Sequence, residues 1–314
     1  MRITAKFLMD SEYPACSQQM EIFDRVFPDG MELTYDNFEL AKNEGLMLGW
    51  FIPHKMPYKL YDMIIKIMET STSFMKEATY LLFDAESNEQ SNLLKLSANG
   101  QMSIDDYDCQ YNAIVEKYKI KRAKIRDSYF EAMHYVGFEM LVAYGNDDGS
   151  IKSTKPIMVY SKDLTHQKPS ACEEHVKRFE SCFPDGMELT VYNLEKAKAN
   201  NLDIMWFIAK RLPEKVYAAT THFGNLMLFQ RSALKDLMYN KMLNKCEEHC
   251  LFYMNLLEKE TDGEERNQLY IEWKECDETA ETEYHKERRA LIDKQEFSVY
   301  LFALHLTNIY GLEL

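Results

Sequence analysis

The chain has 314 residues, of which 46% are hydrophobic, enough to build two ordinary hydrophobic cores. Its 51 acidic residues outnumber its 37 Lys and Arg residues, and the formal net charge is −14. This acidity argues against a nucleic-acid-binding protein, because such proteins neutralise phosphates with clustered Lys and Arg. We therefore expect no direct nucleic-acid binding. An acidic surface suits a basic protein partner, or mimicry of a nucleic acid.

Both ends of the chain bear on its location. It begins MRITAKFLMD, without the apolar segment of a secretory signal, and it contains seven cysteines, an odd number. Both features predict reduced thiols and a cytoplasmic protein. The longest apolar stretch, residues 297–314, is interrupted by polar side chains such as Ser298 and His305. It predicts a buried terminal helix rather than a membrane span.

The chain contains one sequence twice. Residues 15–61 align without a gap on residues 171–217, and 22 of these 47 positions are identical, including the octapeptide FPDGMELT. Weaker identities recur towards the end of each half, where Tyr118 and Arg122 match Tyr284 and Arg288. We predict a tandem duplication, with a first copy at 1–145, a linker at 146–156 and a second copy at 157–314.

The repeated segment predicts three short helices. In the first helix, apolar residues such as Phe23 and Phe179 recur at helical spacing. The sequence Phe-Pro-Asp-Gly then ends the helix in a type I turn. A second helix is expected to begin after an N-cap at Thr34 or Thr190, and to end at Gly45 or Asn201, residues that tolerate a left-handed backbone.

The third short helix would carry the tryptophans of the repeat. We predict that Trp50 and Trp206, together with Phe27 and Phe183, are buried anchors of the unit.

The remainder of each copy predicts long helices. Residues 57–84, 103–145, 224–260 and 264–310 contain few Pro and Gly residues and many strong helix formers. Their length favours helical hairpins or partial coiled coils. A rough three-four spacing predicts a packing seam through Leu226, Phe229, Ala233, Leu237, Asn240 and Leu243. The predicted fold class is therefore all-α, each copy consisting of a short three-helix module followed by long helical hairpins.

One group of side chains has the spacing of a metal site. Cys246, His249 and Cys250 lie three and four residues apart, so that one helix face could present all three to a metal. Zinc prefers a fourth ligand, for which only Cys276 or His222 is available, and the first copy has no such group. Structural or incidental cysteines are the favoured interpretation. We expect no cofactor and no catalytic residue, because no known phosphate-loop, serine-nucleophile or metal-binding motif is present.

Four acidic residues recur in or just after the repeated turn. Asp29 and Glu32 in the first copy match Asp185 and Glu188 in the second, and they are candidate partner-binding residues. The favoured alternative is local, since a turn aspartate commonly accepts hydrogen bonds from its own backbone.

The segments ITAKFL, ACSQQMEIF, FPDGMELT and GLMLGWF together resemble a helical module of uncharacterised, mostly bacteriophage-encoded proteins, with the pattern ITxxFL…ACxxQ…F…FPDG…T…A…GLDxxW. The second copy resembles the later part more closely, with Leu202-Asp203-Ile204 before Trp206, but has Glu174 and His175 where the first copy has Gln18 and Gln19. The resemblance implies a phage origin and brings no established activity.

An acidic, duplicated, helical protein of this kind is expected to be a non-enzymatic binding protein. The leading hypothesis is an inhibitor of a host protein or protein complex, such as an antiviral defence component, in the host cytoplasm. Two linked copies raise the effective affinity for such a partner. The alternative is an acidic nucleic-acid mimic that occupies the basic groove of a nuclease or guide complex. A metal-dependent enzyme at Cys246, His249 and Cys250 is a third hypothesis.

Overall fold

The structure is a computed structural model and describes residues 2–9, 14–46, 58–145, 152, 154, 156–165, 170–202, 204, 208 and 210–311. Within these residues the chain forms ten helices and two small two-stranded sheets. The prediction of an all-α fold is confirmed. The predicted third short helix, with Trp50 and Trp206, lies outside the described residues.

The first half contains seven elements. They are β1 (Arg2–Ile3), α1 (Ala5–Met9), α2 (Ser17–Val26), β2 (Met31–Glu32), α3 (Tyr35–Asn43), α4 (Tyr58–Ala98) and α5 (Ile104–Tyr144). Strands β1 and β2 are antiparallel, with Arg2 opposite Glu32. The sequence interpretation did not include this strand pair or α1, because two- and five-residue elements are too short to show a periodicity.

The second half contains the same types of element in the same order. They are β3 (Met158–Val159), α6 (Ser161–Thr165), α7 (Glu173–Cys182), β4 (Met187–Glu188), α8 (Val191–Ala199), α9 (Glu214–Leu257) and α10 (Gly263–Tyr310). The first five elements lie 156 residues after their counterparts in the first half. We call residues 2–46 the first module and residues 158–202 the second module.

The turn and caps of the modules follow the sequence. In the Phe-Pro-Asp-Gly turn of the first module, the Gly30 N–H donates to the Phe27 carbonyl at 2.9 Å. Gly30 has a φ of +85°, and a Cβ there would lie 2.8 Å from the Ile3 carbonyl oxygen, so the glycine is required. The hydroxyl of Thr34 accepts from the Asn37 N–H, which confirms the predicted N-cap.

Helices α3 and α8, which correspond to the predicted second short helix, also end as predicted. Gly45 and Asn201 have φ values of +84° and +53°, and Asn201 is the one described non-glycine residue with a positive φ. Both residues terminate the helix in the left-handed conformation expected from the sequence.

Each module has an apolar core. In the second module the rings of Phe179 and Phe183 lie 5.5 Å apart, and those of Phe23 and Phe27 in the first module lie 5.7 Å apart. All four rings are buried. The core of the second module also includes Leu304 from the end of α10. The burial predicted for Phe27 and Phe183 is confirmed.

The chain divides into two compact units, and each draws segments from both halves. The first unit contains residues 1–69, 130–225 and 297–314, with both modules. The second unit contains residues 70–129 and 226–296, which are the central and distal parts of α4, α5, α9 and α10. These units cut across the two copies predicted at 1–145 and 157–314, because each long helix contributes to both units.

The core of the second unit comes from all four long helices. Its buried members are Phe74, Ala78, Leu81, Leu82, Tyr118, Ile125, Leu234, Met238, Met242, Ala280 and Tyr284. The α9 seam differs from the one predicted by sequence, since Phe229 and Leu243 are exposed. A helix packed among three others buries a different face from the one that its apolar spacing marks. Within the described residues, no helix combines the length and apolar composition needed to cross a bilayer.

Candidate interaction surface

The helices continue well beyond the core of the second unit. We call residues 86–117 the first hairpin end and residues 243–279 the second hairpin end. In the first, only Glu86 and Leu93 are buried, and in the second no residue is buried. These segments are helical without a core of their own. Because most helical stability in proteins comes from packing an apolar face, such helices are suited to pack against another molecule.

Most of the negative charge of the protein lies in these two segments. The first hairpin end has six acidic residues and two Lys or Arg, and the second has eleven acidic residues and four Lys or Arg. Together they account for −11 of the formal charge of −14. The rest of the chain is close to neutral, so an approaching basic surface is attracted mainly towards the hairpin ends.

The same segments expose large apolar side chains. Of the 23 such side chains exposed in the described residues, 16 belong to the second unit. Ten of these lie on the hairpin ends: Leu94, Leu96, Ile104 and Tyr111 on the first, and Leu243, Leu251, Phe252, Met254, Tyr270 and Ile271 on the second. Ile104 is 76% exposed and Phe252 is 58% exposed. These ten side chains are concentrated within 69 residues, and contiguous exposed apolar patches commonly mark interaction sites.

The first hairpin end is fixed where it leaves the core. The Arg122 guanidinium pairs with the largely buried carboxylate of Glu86 and lies over the ring of Phe83. One turn further out, Glu89 accepts from Lys117 Nζ and from the Tyr118 hydroxyl at 2.7 and 2.6 Å. Partial burial acts to raise the pKa of Glu89, but these two hydrogen bonds outweigh it and lower the pKa. Glu89 is therefore ionised at neutral pH.

The second hairpin end contains the Cys246, His249 and Cys250 group. His249 Nδ1 lies 3.2 Å from a carboxylate oxygen of Asp277 on α10, so this imidazole pairs across the hairpin. Burial, reinforced by the charge of Asp277, raises the pKa of the Cys246 thiol. A protonated thiol is a poor metal ligand and a poor nucleophile.

The metal hypothesis finds no geometric support. In the described part of the chain, no group of three or more His, Cys, Asp or Glu side chains is placed to hold a metal ion. Cys276, which the sequence suggested as a fourth ligand, has its sulfur 3.7 Å from the Tyr253 hydroxyl. Within the group, His249 pairs with Asp277 across the hairpin, and Cys246 forms a hydrogen bond with the same carboxylate.

The four acidic residues of the repeated turn lie on the modules, away in sequence from the hairpin ends. Asp29 and Glu32 are exposed in the first module, as are Asp185 and Glu188 in the second. The carboxylates of Asp29 and Asp185 make no hydrogen bond to any described residue, so the local alternative is not observed. Their role in binding a partner stays a prediction.

The hairpin ends were not predicted as a site. The sequence does contain the features of this surface, since segments 86–117 and 243–279 combine the strongest acidity with apolar residues. Sequence alone does not reveal that the shared core stops before them. An apolar residue in a long helix is ordinarily assigned to a core, and only the positions of the neighbouring helices show otherwise.

The sequence matches no protein-family model, no curated protein and no solved structure.

Proposed function

We propose that this chain is a non-enzymatic binding protein and that its hairpin ends take a basic protein surface with exposed apolar residues. The observation that carries the proposal is the coincidence of charge and apolar exposure. The same 69 residues hold −11 of the formal charge and ten exposed large apolar side chains. The acidic residues attract and orient a basic partner, and the apolar side chains supply the burial that holds it.

The resemblance to phage-encoded modules indicates the class of partner. We propose that the chain inhibits a host protein or protein complex, such as an antiviral defence component, in the host cytoplasm. The two hairpin ends provide either one extended surface or two sites, and linked sites increase the apparent affinity.

A second candidate is mimicry of a nucleic acid. The excess of acidic residues on the hairpin ends favours it, since residues 243–279 contain eleven acidic residues against four Lys or Arg, and a nucleic acid likewise presents a dense negative charge. The exposed Leu251 and Phe252 distinguish the two candidates. A mimic depends on charge alone, whereas a protein surface with apolar contacts also depends on these two side chains.

The test is capture of a partner from bacterial host lysates with matched variants. Phe252→Ser and Tyr217→Ser change side chains that are 58% and 57% exposed, on the second hairpin end and in the first unit respectively. We expect the wild type and Tyr217→Ser to retain the same protein, and Phe252→Ser to lose it. Equal capture by all three proteins would remove the hairpin ends from the proposal.

A defined peptide tests the chemistry of the surface without a lysate. We expect a designed Leu/Lys amphipathic helix to bind the wild type more tightly than a peptide of the same composition in scrambled order. Binding to the scrambled peptide with the same affinity and a steep salt dependence would favour mimicry, because surface charges are screened over about 8–10 Å at ordinary ionic strength.

A further inference from the structure

A second feature of the second unit is a pocket of about 300 Å³ with an apolar floor and a basic rim. The floor includes Phe74, Leu234 and Met238, all buried in the core. The rim carries Arg231, Lys235 and Arg288. This volume lies in the range of small-molecule sites, which combine apolar walls with a few charged groups.

The three cations of this pocket have no acidic partner. No acidic side chain lines the pocket, and none of the three forms an ion pair or hydrogen bond with any described residue. Three like charges around one pocket repel one another, and an anion placed among them relieves that repulsion.

The matching arginine in the first half of the chain shows which partner Arg288 lacks. Tyr118 and Arg122 match Tyr284 and Arg288, and both tyrosines are buried in the same core. Arg122 pairs with the carboxylate of Glu86. Arg288 lines its pocket together with uncharged residues such as Met238. The matched arginine thus has a carboxylate partner in the first half of the chain and no ion pair among the described residues in the second half.

The other large pocket of this unit lacks this character. It has a volume of about 350 Å³ and is lined by Asp84 and Glu248 as well as by Lys121, Lys241 and Lys245. Acidic side chains therefore lie beside its cations. The pocket of Arg288 differs in that its lining includes three cations and no acidic side chain.

We propose that the pocket of Arg231, Lys235 and Arg288 binds a small organic anion with an apolar body. Its carboxylate or phosphate accepts hydrogen bonds from the two guanidinium groups, which match planar oxyanions in geometry. Its apolar part contacts Phe74, Leu234 and Met238 and displaces water from them. This binding site is independent of the hairpin ends.

Decanoate is the probe for this pocket; decanol matches its apolar chain without the charge, and acetate matches its carboxylate without the chain. We expect calorimetric titration at low ionic strength to show decanoate binding more tightly than either decanol or acetate. Because a hydrogen bond to a charged group contributes about 1.5–3 kcal/mol, Arg288→Gln should weaken decanoate binding about tenfold or more. Equal binding of decanol and decanoate would overturn the proposal, as would the absence of decanoate binding.

The neighbouring arginine supplies the control. Arg289 is exposed and pairs with Asp293, outside the pocket, so Arg289→Gln should leave decanoate binding within about twofold. Arg231→Gln repeats the test from α9 in case Arg288→Gln does not fold. Binding is located independently by the methyl resonance of Met238, assigned with Met238→Leu, which should shift on addition of decanoate. An unmoved Met238 signal, or equal losses in Arg288→Gln and Arg289→Gln, would contradict the assignment.

Discussion

The modules and the hairpin ends use apolar residues in opposite ways. In the modules, repeated residues such as Phe23 and Phe179 are fully buried, and 16 of the 32 aligned positions at 15–46 and 171–202 are identical. In the hairpin ends, residues such as Ile104 and Phe252 are exposed, and the two halves of the chain differ in sequence and charge. The two halves therefore share the apolar residues that fill a module core and differ in the apolar residues that are exposed at the hairpin ends.

The largest loss of stability is expected from substitutions in the module cores. Phe179→Ala removes a ring that is 0% exposed and lies 5.5 Å from Phe183, leaving a cavity. We expect a loss of about 3–5 kcal/mol in the free energy of unfolding. Urea denaturation followed by circular dichroism measures it, with Phe23→Ala as the equivalent change in the first module. A loss below about 1 kcal/mol in either variant would contradict the description of these rings as core anchors.

A pH dependence is expected from the first unit, where α5 and α10 pack together. Burial, with a smaller effect of Lys66, lowers the pKa of His305 to about 4, and burial with Lys42 lowers that of His134 to about 4. Since an unfolded histidine has a pKa near 6.5, the unfolded state binds more protons between pH 6.5 and 4. Stability should therefore fall on acidification through this window, by up to about 3 kcal/mol for each histidine.

The measurement is the free energy of unfolding as a function of pH. We expect His305→Gln to flatten the curve between pH 6.5 and 4, because the variant has no imidazole to protonate. The exposed His285 supplies the control, and His285→Gln should leave the slope unchanged. A slope in His305→Gln equal to that of the wild type would show that His305 does not account for the acid sensitivity.

A smaller loss of stability is expected from substitutions at the helix caps of the modules. The hydroxyls of Thr34 and Thr190 accept from the N–H groups of Asn37 and Asn193 at 3.3 and 3.2 Å. Replacing either threonine by alanine should cost about 1 kcal/mol. Thermal melts of Thr34→Ala and Thr190→Ala should show similar decreases. A decrease in only one of them would mean that the two caps contribute differently despite their equal geometry.

The smallest effect on stability is expected at the hairpin ends. Phe252→Ser and Leu251→Ser change side chains that are 58% and 60% exposed, so the free energy of unfolding should change by less than about 0.5 kcal/mol. Binding to the Leu/Lys peptide should nevertheless weaken. A large loss of stability in these variants would place Phe252 in a core and remove the contrast between the two regions.

The sequence by itself determined the local structure of the modules. The Phe-Pro-Asp-Gly turn, the caps at Thr34 and Thr190, and the left-handed Gly45 and Asn201 depend on neighbouring residues, so a local pattern was enough to predict them. The long helices were also predicted, although α4 extends to Ala98 rather than residue 84. The additional residues include several Ser and Asn, whose weaker helix propensities hid the extension from a prediction based on composition.

Only the tertiary structure decided which faces of the long helices are buried. The spacing of apolar residues in α9 predicted a seam through Phe229 and Leu243, but packing among four helices buries Leu234, Met238 and Met242 instead. The same packing ends before residues 86–117 and 243–279, and gathers Arg231 and Arg288 from two helices around one pocket. These features depend on contacts between residues far apart in the chain, and no local pattern contains them because each helix is compatible with several partners until the core is assembled.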